Sequence, residues 1–401
     1  YLLSGEACGV EFSVTDGIAM GMGLAADSDQ RLQAAGTFEL SHNENNGHVF
    51  LPRNKLISAT TQLLDSGAEL VEQALDSLIE RGAVVQEQVA NVEACYLRRL
   101  WEAECSACIR LAGLLAADTD RSAQAGRAVD ELEAQQGITY APLQRQAVEL
   151  AARTGVLVLT GGPGTGKTTT VRGIVALFRR MGLEIVLAAP TGRAAKRMSE
   201  LTGMEAQTVH RMLGMSWNDV THQVTFQKTE KEPLEADAVI VDEMSMVDLA
   251  LFSALLRALR PGTRLVLVGD ADQLPSVGAG NVFSDLIRSG RVETVFLREV
   301  FRQAEQSAII RNAHAVNLGQ PPQLANNQGD FFFLCRRDGE RTLSTVVELC
   351  KTRLPDHMGI PADQIQVLTP TRKGPSGTEN LNRCLQAALN PPAADKREIQ
   401  W

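Results

Sequence analysis

Long hydrophobic runs are missing from this chain of 401 residues. None approaches the roughly 20 uncharged residues that a transmembrane helix requires, which excludes a membrane-spanning protein. The first residues, Tyr1-Leu2-Leu3, have no basic flank and are soon followed by Glu6, so they do not form a signal peptide. The seven cysteines are odd in number and scattered, so they build no disulfide framework, and we expect the protein in the reducing cytoplasm.

The composition is that of a globular protein, with 44% hydrophobic and 22% charged residues. This excludes a disordered, collagenous or low-complexity chain, and no internal repeat is visible. At about 100–200 residues per domain, the length predicts two or three domains. Because the chain starts at Tyr1 and not at a methionine, we expect it to be a fragment cut at its beginning.

Negative charge is concentrated in the first third of the chain. Residues 1–140 carry 9 lysines and arginines against 21 aspartates and glutamates, a balance of −12. Residues 141–401 carry 30 against 27, a balance of +3, within a formal net charge of −9. The larger part of the chain can therefore hold a basic channel for nucleic acid, although the total charge is acidic.

The pattern of apolar residues changes near Gly137. Before it, Leu56 to Leu78 and Val84 to Leu115 repeat apolar residues every three or four positions, which predicts amphipathic helices. After it, short apolar strands alternate with helical segments, which is typical of a parallel sheet covered on both faces. The predicted strands are Val156–Thr160, Ile185–Ala189, Ala238–Val241 and Leu265–Val268, with a further strand-like run at Gln364–Thr369.

A glycine-rich segment follows the first of these strands and fits the P-loop pattern of Gly, four residues, then Gly-Lys-Thr. Glycines let successive backbone N–H groups point at phosphate oxygens, and the next helix adds the positive end of its dipole. Lys167 would reach the β- and γ-phosphates and the Thr168 hydroxyl would ligate Mg²⁺, so the sequence predicts ATP and Mg²⁺ as cofactors. The segment reads Gly161-Gly162-Pro163-Gly164-Thr165-Gly166-Lys167-Thr168-Thr169.

Two further strand ends carry polar residues that suit the same chemistry. The strand Ala238–Val241 runs directly into Asp242 and Glu243. Asp242 would hold Mg²⁺, and Glu243 would position and deprotonate the attacking water. The strand Leu265–Val268 leads to Gln273, a candidate sensor of the γ-phosphate that is equally compatible with an ordinary surface turn.

Six segments together resemble the RecD-type superfamily 1B DNA helicases, most closely the stand-alone long RecD form. The resemblance covers residues 138–401 and implies a helicase that couples Mg-ATP hydrolysis to movement on single-stranded DNA, in the 5′-to-3′ direction and in DNA repair or recombination. The segments are GGPGTGKTT, AAPTGRAAKR (Ala188–Arg197), TVHRML (Thr208–Leu213), VDEMSMVD (Val241–Asp248), GDADQLPSVGAG (Gly269–Gly280) and VFRQ (Val300–Gln303).

The resemblance also implies an α/β fold in three parts. Residues 1–137 correspond to a helical, helix-hairpin-helix-like N-terminal domain. Residues 138–296 correspond to a first RecA-like motor domain with a parallel sheet, and residues 297–401 to an incomplete second one. Within the first motor domain, residues 213–230 read as a β-hairpin, which the family uses as a pin that splits the duplex. The alternative is an insertion between two core strands that has no function of its own.

Individual residues take roles from the same resemblance. Gln144 matches the family's adenine-reading glutamine, and its amide both donates and accepts. Arg302 matches the arginine that reaches the γ-phosphate from the second motor domain, where it offsets charge on the transferred phosphoryl group. The residues matching DNA-contacting motifs are Pro190, Thr191, Arg193, Thr208 and His210 in the first motor domain, and Thr369, Pro370, Arg372, Lys373 and Thr378 in the second.

The expected partners are single-stranded DNA and junctions of single- and double-stranded DNA, without a membrane. For His210 a structural role stays open beside DNA contact. The acidic N-terminal region carries Glu11 where a helix-hairpin-helix turn usually has glycine, so docking of a repair-protein partner is at least as good an interpretation as DNA binding there.

The family's last motifs do not appear before Trp401, so we expect a second cut there. A chain without them would bind Mg-ATP, hydrolyse it weakly and unwind little. Two alternatives stay open beside the helicase: a nucleotide-gated DNA-binding module that does not translocate, and the helicase portion of a conjugative relaxase.

Overall fold

The computed structural model describes residues 1, 10–116, 122–218, 223–299, 306–324 and 329–393. Two compact units share the chain. The first contains Tyr1–Gln306 and Ile310–Gln320, and the second contains Ser307–Ile309 and Pro321–Trp401. Within the described ranges, no helix is both long and apolar enough to cross a membrane.

The N-terminal part of the first unit is mainly helical. Its small apolar core includes Leu56, Leu75 and Leu100, all at most 3% exposed. The predicted helical stretch from Leu56 to Leu78 is two helices, because Asp65 adopts the left-handed conformation (φ 51°) that ends the first of them. The helices are α1 (Phe12–Gly21), α2 (Asp29–Glu44), α3 (Arg53–Leu64), α4 (Ala68–Glu80), α5 (Arg98–Ala116) and α6 (Ser122–Gln136).

The prediction of helix from Val84 to Leu115 is wrong in its first half. Strands β2 (Val84–Val89) and β3 (Val92–Leu97) form an antiparallel hairpin, and β1 (Phe50–Pro52) pairs with β3 on its other side. Ala90 and Asn91, with φ of 46° and 67°, form a two-residue turn that fits the twist of a hairpin. The valines of both strands are β-branched and favour this pleated geometry over a helix.

The predicted parallel sheet is confirmed, with six strands in the order β11-β4-β10-β9-β5-β6, every neighbouring pair parallel. Alternate residues of the central strands enter the cores on opposite faces. Val158 packs on one face, and Leu157 and Leu159 on the other. The strands are β4 (Val156–Gly161), β5 (Ile185–Ala189), β6 (Ala206–Thr208), β9 (Ala238–Val241), β10 (Arg264–Gly269) and β11 (Glu293–Leu297).

The predicted hairpin after His210 is present. Strands β7 (Met215–Asn218) and β8 (Gln223–Phe226) pair antiparallel, with Met215 opposite Phe226. The helices that accompany the sheet are α7 (Pro142–Arg153), α8 (Lys167–Arg180), α9 (Gly192–Thr202), α10 (Val209–Met212), α11 (Leu249–Arg257) and α12 (Val282–Ser289).

The described part of the second unit contains helices and no strand. The strand expected at Gln364–Thr369 is wrong: Ala362–Gln364 forms a 3₁₀ turn, and the residues after it pair with no neighbouring strand. An isolated apolar run does not form a sheet, because its backbone groups need a partner strand. The remaining helices along the chain are α13 (Ala308–Asn317), α14 (Gly339–Glu348), which continues through a π-helical segment (Leu349–Arg353) into α15 (Leu354–Met358), and α16 (Thr378–Leu389).

Candidate active site

The predicted phosphate loop joins the end of β4 to the start of α8, which begins at Lys167. Gly164 and Gly166 have φ of 75° and 82°, a conformation that residues with a side chain adopt only at a cost. The Lys167 ammonium donates hydrogen bonds to the carbonyl oxygen of Gly161 and, at 3.1 Å, to that of Gly162. The amine thus lies over the loop that the sequence assigns to phosphate.

The two predicted catalytic carboxylates follow β9 directly, and they lie at the same edge of the sheet as the loop, since carboxyl ends of parallel strands meet there. Glu243 has φ of 55° and ψ of 42°, a left-handed conformation that is unusual for a residue other than glycine. Strain of this kind concentrates at functional sites.

Burial dominates the electrostatics of both groups. It raises the pKa of the Asp242 carboxyl, while the backbone N–H of Glu243, 2.9 Å from Asp242 Oδ1, and the charge of Lys167 lower it. Burial and the nearby Asp242 raise the pKa of Glu243, and Lys167 lowers it. A carboxylate with a raised pKa is a better proton acceptor, which is the property a general base needs.

One cavity of about 520 Å³ collects most of the predicted site residues. Gln273 lies in its wall and accepts a hydrogen bond from the Ser245 hydroxyl at 3.3 Å. Thr169 is exposed and is not among the residues that line the cavity. The lining includes the loop residues Gly162, Pro163, Gly164, Thr165, Gly166, Lys167 and Thr168, together with Asp242, Glu243 and Gln273.

The donor atoms in this cavity suit Mg²⁺. The Thr168 hydroxyl and the Asp242 carboxylate both line it, and hard oxygen ligands are those that Mg²⁺ prefers. These two residues would hold the ion beside the phosphates.

Two charged residues of the cavity were missed as site residues from sequence. Asp270, at the end of β10, is 4% exposed, and its position directly after an apolar strand was the available signal. Arg197 comes from α9, where Ala194, Arg197, Met198 and Leu201 line the cavity at helical spacing. That spacing was visible in the sequence, but the direction of the helix face was not.

Gln144 lies behind the phosphate loop and is 4% exposed. Its amide donates to the Gly166 carbonyl at 3.3 Å and accepts from the Ala141 backbone N–H at 3.1 Å. Both ends of the side chain therefore bond to the protein, while adenine recognition stays a prediction. Arg302 lies outside the described residues.

The predicted DNA-contacting threonines of the first unit cap helices. The Thr191 hydroxyl accepts from the Ala194 N–H at the start of α9, and the Thr208 hydroxyl accepts from the Arg211 N–H at the start of α10, both at 3.2 Å. His210 is half-buried, with its ring 6.4 Å from that of Phe226. Pro190, half-buried, and Arg193, exposed, flank the first cap. DNA contact by these residues stays a prediction.

The predicted DNA-contacting residues of the second unit form a loop ahead of α16. The Thr369 hydroxyl donates to the Ser376 carbonyl at 2.8 Å, and Arg372 forms an ion pair with Glu379 at 2.9 Å. Pro370, Lys373 and Thr378 are exposed. The loop offers a cation and hydroxyl groups, a composition that suits contact with a phosphate backbone.

Comparisons with known proteins identify relatives along almost the whole chain. The model of the HHH domain of ATP-dependent RecD2 DNA helicases matches residues 1–50, and the AAA domain model matches residues 144–279. The ATP-dependent RecD2 DNA helicase of Deinococcus radiodurans is 34% identical over 397 residues, which covers 96% of this chain and 53% of that protein. The RecBCD enzyme subunit RecD of Mycolicibacterium smegmatis is 33% identical over 341 residues, covering 76% and 59%.

The chain thus spans between half and three fifths of the length of these curated relatives. Among solved structures, the crystal structure of the Pif1 helicase from Candida albicans shares 22% identity, with a TM-score of 0.35 over 53% of this chain and 55% of that one. A similarity of that size does not bear on the fold.

Proposed function

The chain belongs to the RecD-type DNA helicase family. From that premise we propose that it acts as an ATP-dependent DNA helicase, which couples Mg-ATP hydrolysis to movement on single-stranded DNA. One observation carries the proposal. Lys167, Thr168, Asp242, Glu243 and Gln273, drawn from three strand ends, line a single cavity. Those residue types in one place are what phosphoryl transfer to water requires.

The chemistry follows from the positions of the side chains. Backbone N–H groups of the phosphate loop and the Lys167 ammonium bind the β- and γ-phosphates. Bound Mg²⁺ would neutralise phosphate charge. Glu243 takes a proton from a water molecule, whose oxygen forms a bond to the γ-phosphorus while the bond from that phosphorus to the bridging oxygen of ADP breaks. Gln273, held by Ser245, reports whether the γ-phosphate is present.

Movement requires a second set of contacts. The capped loops around Thr191 and Thr208 would grip the DNA backbone in the first motor domain, and the loop from Thr369 to Thr378 would do so in the second. The proposed division is an N-terminal domain at 1–137, a first motor domain at 138–296 with its hairpin as the pin, and a second from 297. Arg302 would complete the site from the second domain.

The finer points of the proposal rest on the resemblance. They are 5′-to-3′ direction, a role in repair or recombination, preference for junctions, a repair-protein partner on the N-terminal domain, and a cytoplasmic location. The six described cysteines are all unpaired, in keeping with a reducing compartment.

Nucleotide binding by calorimetry tests the central claim. The chain is expected to bind a non-hydrolysable ATP analogue with Mg²⁺. Lys167→Ala lowers that affinity by about tenfold or more, because charge-assisted hydrogen bonds contribute about 1.5–3 kcal/mol. Lys196→Ala is the matched control, since Lys196 is an exposed lysine of α9 that does not line the cavity. Absence of binding by the unmodified chain would overturn the proposal.

DNA coupling is measured separately, by fluorescence anisotropy of a labelled single-stranded oligonucleotide. The affinity for the oligonucleotide is expected to change when the Mg-ATP analogue is added, and Lys167→Ala abolishes the change. A chain that binds DNA equally with and without nucleotide is not a motor. Strand displacement from 5′-tailed and 3′-tailed duplexes distinguishes a helicase from a binding module that does not translocate.

A further inference from the structure

Helix α9 forms one wall of the nucleotide cavity, beside the phosphate loop and the two carboxylates. Its residues Ala194, Arg197, Met198, Leu201 and Thr202 line the cavity at successive intervals of three, one, three and one positions, which places them on one face of the helix. Met198 belongs to the same core cluster as Val171 and Ile174 of α8. Arg197 is the charged residue of that face.

The charges in the cavity are unevenly distributed. Among the described residues, Lys167 and Arg197 are the basic residues that line it, and Asp242, Glu243 and Asp270 are the acidic ones. A triphosphate brings further negative charge into this acidic site, so each cation there contributes directly to its binding. The loss of either cation is therefore expected to weaken binding of the triphosphate measurably.

The hydrogen bonding of the two cations differs. Lys167 donates to two carbonyl oxygens of its own loop. Among the described residues, Arg197 has no hydrogen-bond or ion-pair partner, and its side chain is exposed in the cavity. Its guanidinium therefore presents five N–H donors in a planar fork, the geometry that binds phosphate oxygens in pairs.

The position of Arg197 points to the γ-phosphate and not to the α- or β-phosphate. Arg197 lines the same cavity as Asp242 and Glu243, the two carboxylates that follow β9. Under the proposed function, Glu243 faces the γ-phosphorus and Asp242 faces the ion beside it. A cation that lines the cavity together with both carboxylates is available to the end of the triphosphate where hydrolysis occurs.

We propose that Arg197 binds the γ-phosphate of the nucleotide from α9, and so makes the site prefer a nucleoside triphosphate to a diphosphate. This inference rests on the proposed function, because it requires that the cavity takes Mg-ATP. It adds a specificity-determining contact from a helix whose first residues form the predicted DNA-contacting loop.

Calorimetry with two ligands tests the assignment: a non-hydrolysable ATP analogue and ADP, each with Mg²⁺. Arg197→Gln is expected to weaken analogue binding about tenfold, the size of a lost charge-assisted hydrogen bond, and ADP binding less than about twofold. Arg197→Lys keeps the charge without the fork, so its loss of analogue affinity is intermediate, about threefold. Lys196→Gln, one position along α9 and outside the cavity lining, changes neither affinity.

The ratio of the two affinities separates a phosphate contact from a structural role, since a misfolded α9 would weaken both ligands alike. Equal losses for analogue and ADP in both Arg197 variants would overturn the inference, as would no loss, or the same loss in Lys196→Gln. If the unmodified chain binds neither ligand, the proposed function fails as well. If it binds both and Arg197→Gln matches it, only the role of Arg197 is lost.

Discussion

The side-chain amide of Gln144 donates a hydrogen bond to the carbonyl oxygen of Gly166, 3.3 Å away. Gly166 is the last residue of the phosphate loop before α8, and its φ of 82° fixes the direction in which the loop turns into the helix. The same amide accepts from the backbone N–H of Ala141, at the start of α7. Gln144 thus ties the loop to the preceding helix.

The first prediction concerns these two hydrogen bonds of Gln144. Gln144→Ala is expected to weaken binding of ATP and GTP analogues by the same factor, about three- to tenfold. The substitution removes the hydrogen bond to the loop at Gly166 and the one to Ala141 of α7, at about 0.5–1.5 kcal/mol each. Calorimetry with both analogues measures it. Gln144→Glu is the companion variant, since a carboxylate cannot donate to Gly166. A loss confined to the ATP analogue would show instead that Gln144 reads adenine.

The second prediction uses the backbone of Glu243. Glu243→Gly is expected to be more stable than Glu243→Ala by about 1 kcal/mol, because the left-handed conformation strains alanine and not glycine. Both variants lack the carboxylate and should hydrolyse no ATP. They are therefore expected to differ in stability but not in activity. Urea unfolding monitored by circular dichroism gives the comparison. Equal stability of the two variants would contradict the strain.

The third prediction separates two neighbouring glycines of the loop. A Cβ on Gly161 would lie 2.6 Å from Thr165 Oγ1 and 2.8 Å from the backbone carbonyl oxygen of Leu297 in the adjacent strand. The nearest atoms to a Cβ on Gly162 would be those of the His314 ring, with Cε1 at 3.0 Å. Gly161→Ala is therefore expected to lower the free energy of unfolding by about 1–3 kcal/mol, and Gly162→Ala by less, since a side chain moves more easily than a strand.

Thermal unfolding of both glycine variants measures the difference. The Gly162→Ala, His314→Ala double variant serves as control, because it removes the ring that the new methyl group would meet. A Gly162→Ala variant that is less stable than Gly161→Ala would contradict the packing of the loop against β11.

The fourth prediction is a dependence of stability on pH. Glu230 accepts from Arg257 at 2.8 Å and from Arg110 at 2.7 Å, which links α11 to α5. The hydrogen bond from Arg257 is the main reason that the pKa of Glu230 falls from 4.5 to about 2. Because the folded pKa is the lower one, this stabilisation is present above pH 4.5 and is lost as the pH falls towards 2.

Glu230→Gln is expected to lower the free energy of unfolding at pH 7 by less than about 1 kcal/mol, since the pair is partly exposed and screened by solvent. The difference from the unmodified chain should narrow below pH 4.5, as followed by urea titrations at several pH values. Glu232→Gln, which removes only an exposed pair with Lys228, is the control. A difference in the free energy of unfolding that stays constant with pH would contradict the role of the ion pair.

Local chemistry was determined by the sequence itself. The run from Gly161 to Thr168 predicts a loop that binds an anion, because its glycines let backbone N–H groups point at phosphate and its lysine adds a positive charge. The apolar strands on both sides of it predict a buried parallel sheet. The hairpin after His210 also followed from its residues. In each case the feature could be predicted because it depends on residues that are close together in the sequence.

Other features were decided by tertiary structure. Residues 84–97 satisfy a helical spacing but form a hairpin, because β2 and β3 pair with each other through their valines and β3 gains β1 as a second partner strand. Residues 364–369 satisfy a strand pattern but form none, because no described strand lies beside them. The face that α9 turns to the nucleotide cavity, and the burial of Gln144 behind the loop, depend on packing between distant elements. Sequence spacing gives the chemistry that a side chain can do, whereas only the packed chain decides which other groups it meets.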